Sequence, residues 1–103
     1  MEFLSRSGID YEVEDFSLAE LFNYNEMAVL NEMREQYARD RTLCRCELCL
    51  EDTYALALNS LPPRYVQETR VAQYEESSTF VGRNEVREKV LDAIARVRAN
   101  PNH

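Results

Sequence analysis

The chain has 103 residues, one domain's length, with 45% apolar and 30% charged residues and a formal net charge of −7, the profile of a soluble globular protein. Two Gly and three Pro exclude collagen-like and low-complexity classes and are too few for the turns of an all-β sandwich. No apolar run approaches the ~20 residues of a membrane span, and the excess of acid repels duplex nucleic acid, so DNA is an unlikely partner by chemistry.

The opening Met1-Glu2-Phe3-Leu4-Ser5-Arg6 has neither the basic nor the apolar region of a secretory leader. The expectation is a cytoplasmic, mostly α, single-domain protein with short extended segments. Charge divides it unevenly: residues 1–33 carry eight acids and one base, Arg6, and the rest carry eleven of each sign. Residues 1–16 read as an acidic N-terminal arm, outside a helical domain expected over 17–100. In the arm Phe3, Leu4, Ile9, Tyr11, Val13 and Phe16 follow no helical period. Ile9, Tyr11 and Val13 alternate with acids, as in a short edge strand or a segment that orders on a partner.

Ser17-Leu18-Ala19-Glu20 has the form of a capping box, with Leu18, Leu21 and Phe22 toward its buried side. Asn25 is a second expected N-cap. Met27, Leu30, Met33, Arg34 and Tyr37 recur at three- and four-residue spacing and predict a helix over 26–39, continuous with 17–25 or broken from it. A connection over 40–46 leads to a second helix from Glu47 to Leu61. Its stripe of Leu50, Tyr54, Ala57, Leu58 and Leu61 is widened by Leu48, Ala55 and Leu56 until most of its circumference is apolar. Such a helix sits in mid-core or in an oligomer interface, which points to a homodimer. Pro62-Pro63 ends it. Arg64 to Val71 suits a short strand, and Glu75 to Thr79 a polar loop. Val86, Val90, Ile94 and Val97 predict a last helix from near Asn84, stopping before Pro101 and leaving a frayed end.

Cys44, Cys46 and Cys49 are spaced C-x-C-x-x-C across the bend and first turn of the second helix. An odd count without a leader argues against a disulfide framework. Three thiolates converging there suit zinc, and a helix N-terminus, with Arg45 nearby, favours the thiolate form. A closed zinc site takes four ligands. The fourth would be Glu47, Asp52, His103, a water or a group from another subunit. The alternatives are packing as small apolar side chains, or a redox switch. His103 is the only His and makes no convincing Cys–His pair, so no catalytic thiol is expected.

Gly8 and Gly82 stand alone, so there is no glycine-rich phosphate loop. The paired acids Glu51-Asp52 and Glu75-Glu76 read as solvated faces, because neighbours on a helix point apart. Nothing supports an enzyme. All the bases but Lys89 are Arg, the residue of bidentate contacts. Arg64, Tyr65, Arg70 and Tyr74 follow the Pro-Pro corner, and guanidinium groups with stacking rings suit a purine nucleotide and its phosphates. The alternative is that Tyr65 is core and both Arg pair with the acidic N-terminal half.

Cys44-Arg-Cys46-Glu-Leu-Cys49, then Asp52, then Ala55-Leu56-Ala57-Leu58-Asn59, then Pro62-Pro63-Arg64-Tyr65-Val66 resembles the late competence protein ComFB family. That family's pattern runs C-x-C-x-x-C, Asp, A-L-x-L-N, Pro and Tyr-Val. The resemblance implies a small helical homodimer without enzymatic activity, named for a competence operon. Some members look like zinc proteins in which a further Cys completes the three; this sequence has no fourth Cys. Others, notably cyanobacterial ones, act as receptors for cyclic di-GMP. The chain is therefore expected to be a non-enzymatic receptor that binds cyclic di-GMP and signals to a protein partner. A zinc-stabilised adaptor is the alternative. Arg64, Tyr65, Arg70 and Tyr74 as nucleotide residues come from their chemistry, not from the family.

Overall fold

The computed structural model describes residues 8–77 and 82–103. Phe3 and Leu4 of the arm, and Ser78 and Thr79 of the expected loop, lie outside the described residues. The elements are β1 (Glu12–Val13), β2 (Phe16–Ser17), β3 (Leu21–Asn23), α1 (Tyr24–Arg39), α2 (Glu47–Asn59), β4 (Tyr65–Gln67), a 3₁₀ turn (Glu68–Arg70), α3 (Val71–Glu75) and α4 (Arg83–Ala99). A small, mostly helical domain with short extended segments is what the residue pattern predicts.

The three long helices build the core. α1 turns Val29, Met33 and Tyr37 inward at four-residue intervals, and α4 turns in Val86, Val90, Ala93, Ile94 and Val97. α2 adds Cys49, Thr53 and Ala57. α4 packs on both of the others, and each fully buried Val or Leu stabilises by about 1.5–3 kcal/mol. A polar seam closes α1 on α4. Glu32, buried beside Val29 and Met33, accepts from Gln36 Nε2 at 2.6 Å and pairs with Arg87 Nε at 3.2 Å. Glu35 pairs with Arg83 at 2.6 Å and with Arg87 at 3.6 Å.

Before α1 the chain departs from the expected helix. Ser17 is no helix cap; its Oγ accepts from the Ala19 amide at 3.3 Å in a local turn. Leu21–Asn23 instead pairs antiparallel with β4, Leu21 opposite Gln67, Phe22 opposite Val66 and Asn23 opposite Tyr65. The ladder satisfies backbone groups that a lone turn of helix leaves to water, and it buries Val66. Leu18 and Leu21, expected on a buried side, are 48% and 38% exposed. Asn23 rather than Asn25 caps α1: its Oδ1 accepts from the Asn25 amide at 3.2 Å and from the Arg64 amide at 3.0 Å. Asn25 is fully buried, and its Nδ2 donates to the Pro62 carbonyl at 2.7 Å. The Pro-Pro corner is thus anchored on the start of α1, where the Tyr24 amide also donates to the Arg64 carbonyl at 2.7 Å.

Of the alternating stretch Ile9–Val13, Glu12 and Val13 form a strand, paired with β2 through a two-residue turn in which Glu14 has φ 57°. The strand expected over 64–71 stops at Gln67 and gives way to the 3₁₀ turn and α3. α2 ends at Asn59, capped by Ser60, and Leu61 is buried beyond it.

Candidate metal centre

Cys44 lies in the connection between α1 and α2, Cys46 is the N-cap of α2, and Cys49 is on its first turn. The Cys46 Sγ accepts from the Cys49 amide at 3.4 Å, sulfur standing where a cap usually places oxygen. That bond, first among its causes, holds the Cys46 thiol below its ordinary range. Cys49 is 3% exposed. Burial, then bonding to the Cys44 and Cys46 sulfurs, pushes its thiol up to about 12.

The chain after α4 returns to this cluster. Asn102 Nδ2 donates to Asp52 Oδ2 at 2.7 Å, and His103 Nε2 meets Cys44 Sγ at 3.4 Å. The end expected to be frayed is fastened at two points. One ligand atom from each of Cys44, Cys46, Cys49 and His103 lies within 4.8 Å of the others. Zinc about 2.3 Å from sulfur has tetrahedral edges of about 3.8 Å, so the four donors need close by only about 1 Å. Three thiolates and an imidazole are a donor set zinc takes in closed sites. The cluster can therefore hold a metal such as zinc, with His103 in the fourth position. Asp52, another candidate for that position, instead receives Asn102.

Arg45 does not serve the thiolates. Its guanidinium donates to the Tyr37 carbonyl and, at 3.2 Å, to the Asp40 carbonyl, which closes the end of α1. It also lies 5.4 Å from the centre of the Tyr37 ring. The connection is held from the other side by Asp40. Its Oδ1 accepts from the Thr42 amide and hydroxyl at 3.0 and 2.5 Å, and its Oδ2 lies 3.5 Å from Arg98 of α4. Thr42 first, then Arg98, holds that carboxyl below its ordinary range. The bend that carries the cysteines is thereby tied to α1 and to α4 by contacts that need no metal.

The four residues expected to hold a nucleotide spread over the corner, β4, the 3₁₀ turn and α3. Arg64 is half-buried, and its guanidinium donates to the Pro62 and Pro63 carbonyls at 3.2 and 3.1 Å. Tyr65 is not core; it is 64% exposed. It lines a cavity of about 400 Å³ with Tyr11, Leu18, Leu21 and Glu26. Arg70 is exposed in the 3₁₀ turn. Tyr74, on α3, packs its ring on Tyr24 at 5.1 Å between centroids. The alternation that includes Tyr11 pointed to a strand and not to a site, and Glu26 carried no signal of its own; the β3–β4 pairing and the Leu18–Tyr11 hydrogen bond bring their segments to Tyr65.

No helix among the described residues is long and apolar enough to cross a membrane. Residues 22–101 match the family model of the late competence development protein ComFB. Among solved structures, the late competence protein ComFB from Bacillus subtilis is similar, with a TM-score of 0.58 and 24% identity over 80% of this chain and 94% of that one. At that identity the likeness bears on the fold. No curated protein sequence matches.

Proposed function

The chain belongs to the ComFB family, and from that premise we propose that it is a non-enzymatic signalling receptor: a homodimer that binds cyclic di-GMP and passes its bound state to a protein partner. The observation that carries this is the surface after the Pro-Pro corner. There Tyr65 stands 64% exposed between the half-buried Arg64 and the exposed Arg70, two guanidinium groups and an exposed ring on one segment. A guanidinium engages a phosphate or a guanine edge bidentately, and a tyrosine ring stacks on a base. The homodimer is supported by the apolar face where α1 meets α2. A cavity of about 330 Å³ there is lined mostly by Leu30, Met33, Tyr37, Leu50 and Tyr54. A two-fold ligand suits a two-fold protein, since one patch serves twice.

Calorimetric titration of cyclic di-GMP into the folded protein, with cyclic di-AMP and GTP alongside, tests this reading. Saturable heat near one ligand per dimer is expected. No heat from any of the three ends the reading. Arg64→Ala is expected to weaken binding by roughly tenfold or more, the worth of a charged hydrogen bond, while the melting temperature stays near that of the parent.

A second reading, a zinc-stabilised adaptor without a nucleotide, is favoured by the four-donor cluster. Bound zinc would join the α1–α2 connection, α2 and the segment after α4, and would stabilise the folded chain by mass action. Zinc near one equivalent in protein purified without added metal is expected, with a lower melting temperature after chelation. Metal-free protein that melts as before removes this reading. The two readings are compatible with one another.

A further inference from the structure

We propose that the groove between Tyr11 and Tyr65 docks a basic, amphipathic segment of the protein partner. This names the chemistry of the partner that the proposed function invokes, and takes its meaning, though not its test, from that reading. The groove is amphipathic: Leu18 and Leu21 lie beside the two tyrosine rings, and the phenol groups and the Glu26 carboxylate add polar surface to its lining. Leu18, Leu21 and Tyr65 are 48%, 38% and 64% exposed, and neighbouring exposed apolar side chains mark recognition surfaces.

Its surroundings set the sign of the occupant. Residues 8–33 contain seven acids and no base. Six of the seven, Asp10, Glu12, Glu14, Asp15, Glu20 and Glu26, are exposed. None of the six takes part in an ion pair among the described residues. The β1–β2 hairpin that carries the acidic tip is closed at its base by the Leu18 amide donating to the Tyr11 carbonyl at 2.9 Å. Tip and groove wall therefore belong to one unit. A field of this sign repels an anionic membrane. It also repels a second copy of the same face, because like charges would meet across the two-fold axis. A segment with Lys or Arg set among apolar residues answers both parts. Its apolar side chains fill the groove, and its cations lie over tyrosine faces and against Glu26 and the hairpin acids.

The probe is a synthetic peptide of about 15 residues that sets Lys and Arg among Leu and Phe, compared with the same peptide carrying Glu in place of every base. Fluorescence anisotropy on the whole chain follows both. Saturable binding of the basic peptide alone is expected, with affinity falling about tenfold as salt rises from about 0.02 to about 0.15 M. Leu18→Ala, and separately the combined Glu12→Gln, Glu14→Gln, Asp15→Asn and Glu26→Gln, should each weaken it at least about fivefold without lowering the melting temperature. Equal binding of the two peptides, or basic-peptide binding that neither variant weakens, overturns the proposal. So does a change in the sedimentation of the chain alone on Leu18→Ala, which would make this face a contact between copies. None of these variants replaces Arg64, Tyr65 or Arg70, and the nucleotide titration is run on the unsubstituted chain. A chain that binds cyclic di-GMP but not the basic peptide therefore overturns this proposal alone, and one that binds the peptide but no nucleotide overturns the receptor reading alone.

Discussion

Tyr24 is buried, its hydroxyl donates to the Glu75 carboxylate and its ring lies on Tyr74, so a single side chain joins α1 to α3. Burial first, then Glu75, raises its phenol to about 12. The folded chain therefore keeps a proton that the unfolded chain releases above about pH 10. The stability this group provides is whole below that pH and is lost as pH climbs toward 12. Denaturant unfolding across the alkaline range should show a steeper loss for the parent than for Tyr24→Phe; parallel curves would remove the assignment. Glu32 is a buried carboxylate paired with Arg87. Arg87→Ala leaves its charge facing Gln36 alone, with an expected cost of about 2–4 kcal/mol in urea unfolding. Adding Glu32→Gln should recover part of it, because the two effects share one contact. At the metal cluster, His103→Ala should lower zinc affinity by more than the roughly 10–100-fold that losing an outer partner costs. Unchanged affinity would leave the fourth position to another ligand.

Element by element, legibility followed the range of the forces involved. α2 and α4 could be read because their apolar residues recur at helical spacing and every signal is local: Val86, Val90, Ile94 and Val97 are all buried. The stretch 17–23 misled because a capping-box pattern is also local, whereas the winning interaction pairs Leu21 with Gln67 across the fold. Asn23 and Asn25 exchanged roles for the same reason, since the Arg64 amide reaches Asn23 only once β4 is in place. Asn23→Ala removes the cap of α1 and the acceptor for Arg64 together. A loss of about 1–2 kcal/mol is expected, with faster amide exchange at Arg64 than at core amides of α4. The site was legible in the same measure. The cysteine spacing announced a thiolate cluster, and His103 stood among several candidates for its fourth member. Only the path of the chain after α4 brings it to 3.4 Å from Cys44. Arg45 sits between two cysteines in the sequence, but the fold turns its guanidinium to the open carbonyls of Tyr37 and Asp40 at the end of α1.

For the whole molecule, the apolar face at α1 and α2 bears on assembly. Leu30→Glu places a charge where the proposed dimer meets. Sedimentation should then report a monomer with the parent's helical content, since that side chain is already exposed. An intact dimer would move the interface elsewhere. The placement of His103 also has a consequence for how the chain is made. The thiols are synthesised well before the imidazole that meets them, 59 residues later than Cys44. At roughly 5–20 residues per second the ribosome needs about 3–12 seconds to cover that distance. Throughout it Cys44, Cys46 and Cys49 are a three-thiol site open to any soft cation or oxidant in reach. An ion taken up by the thiols in that interval would meet its fourth donor only once α4 is complete and the chain has returned to the cluster.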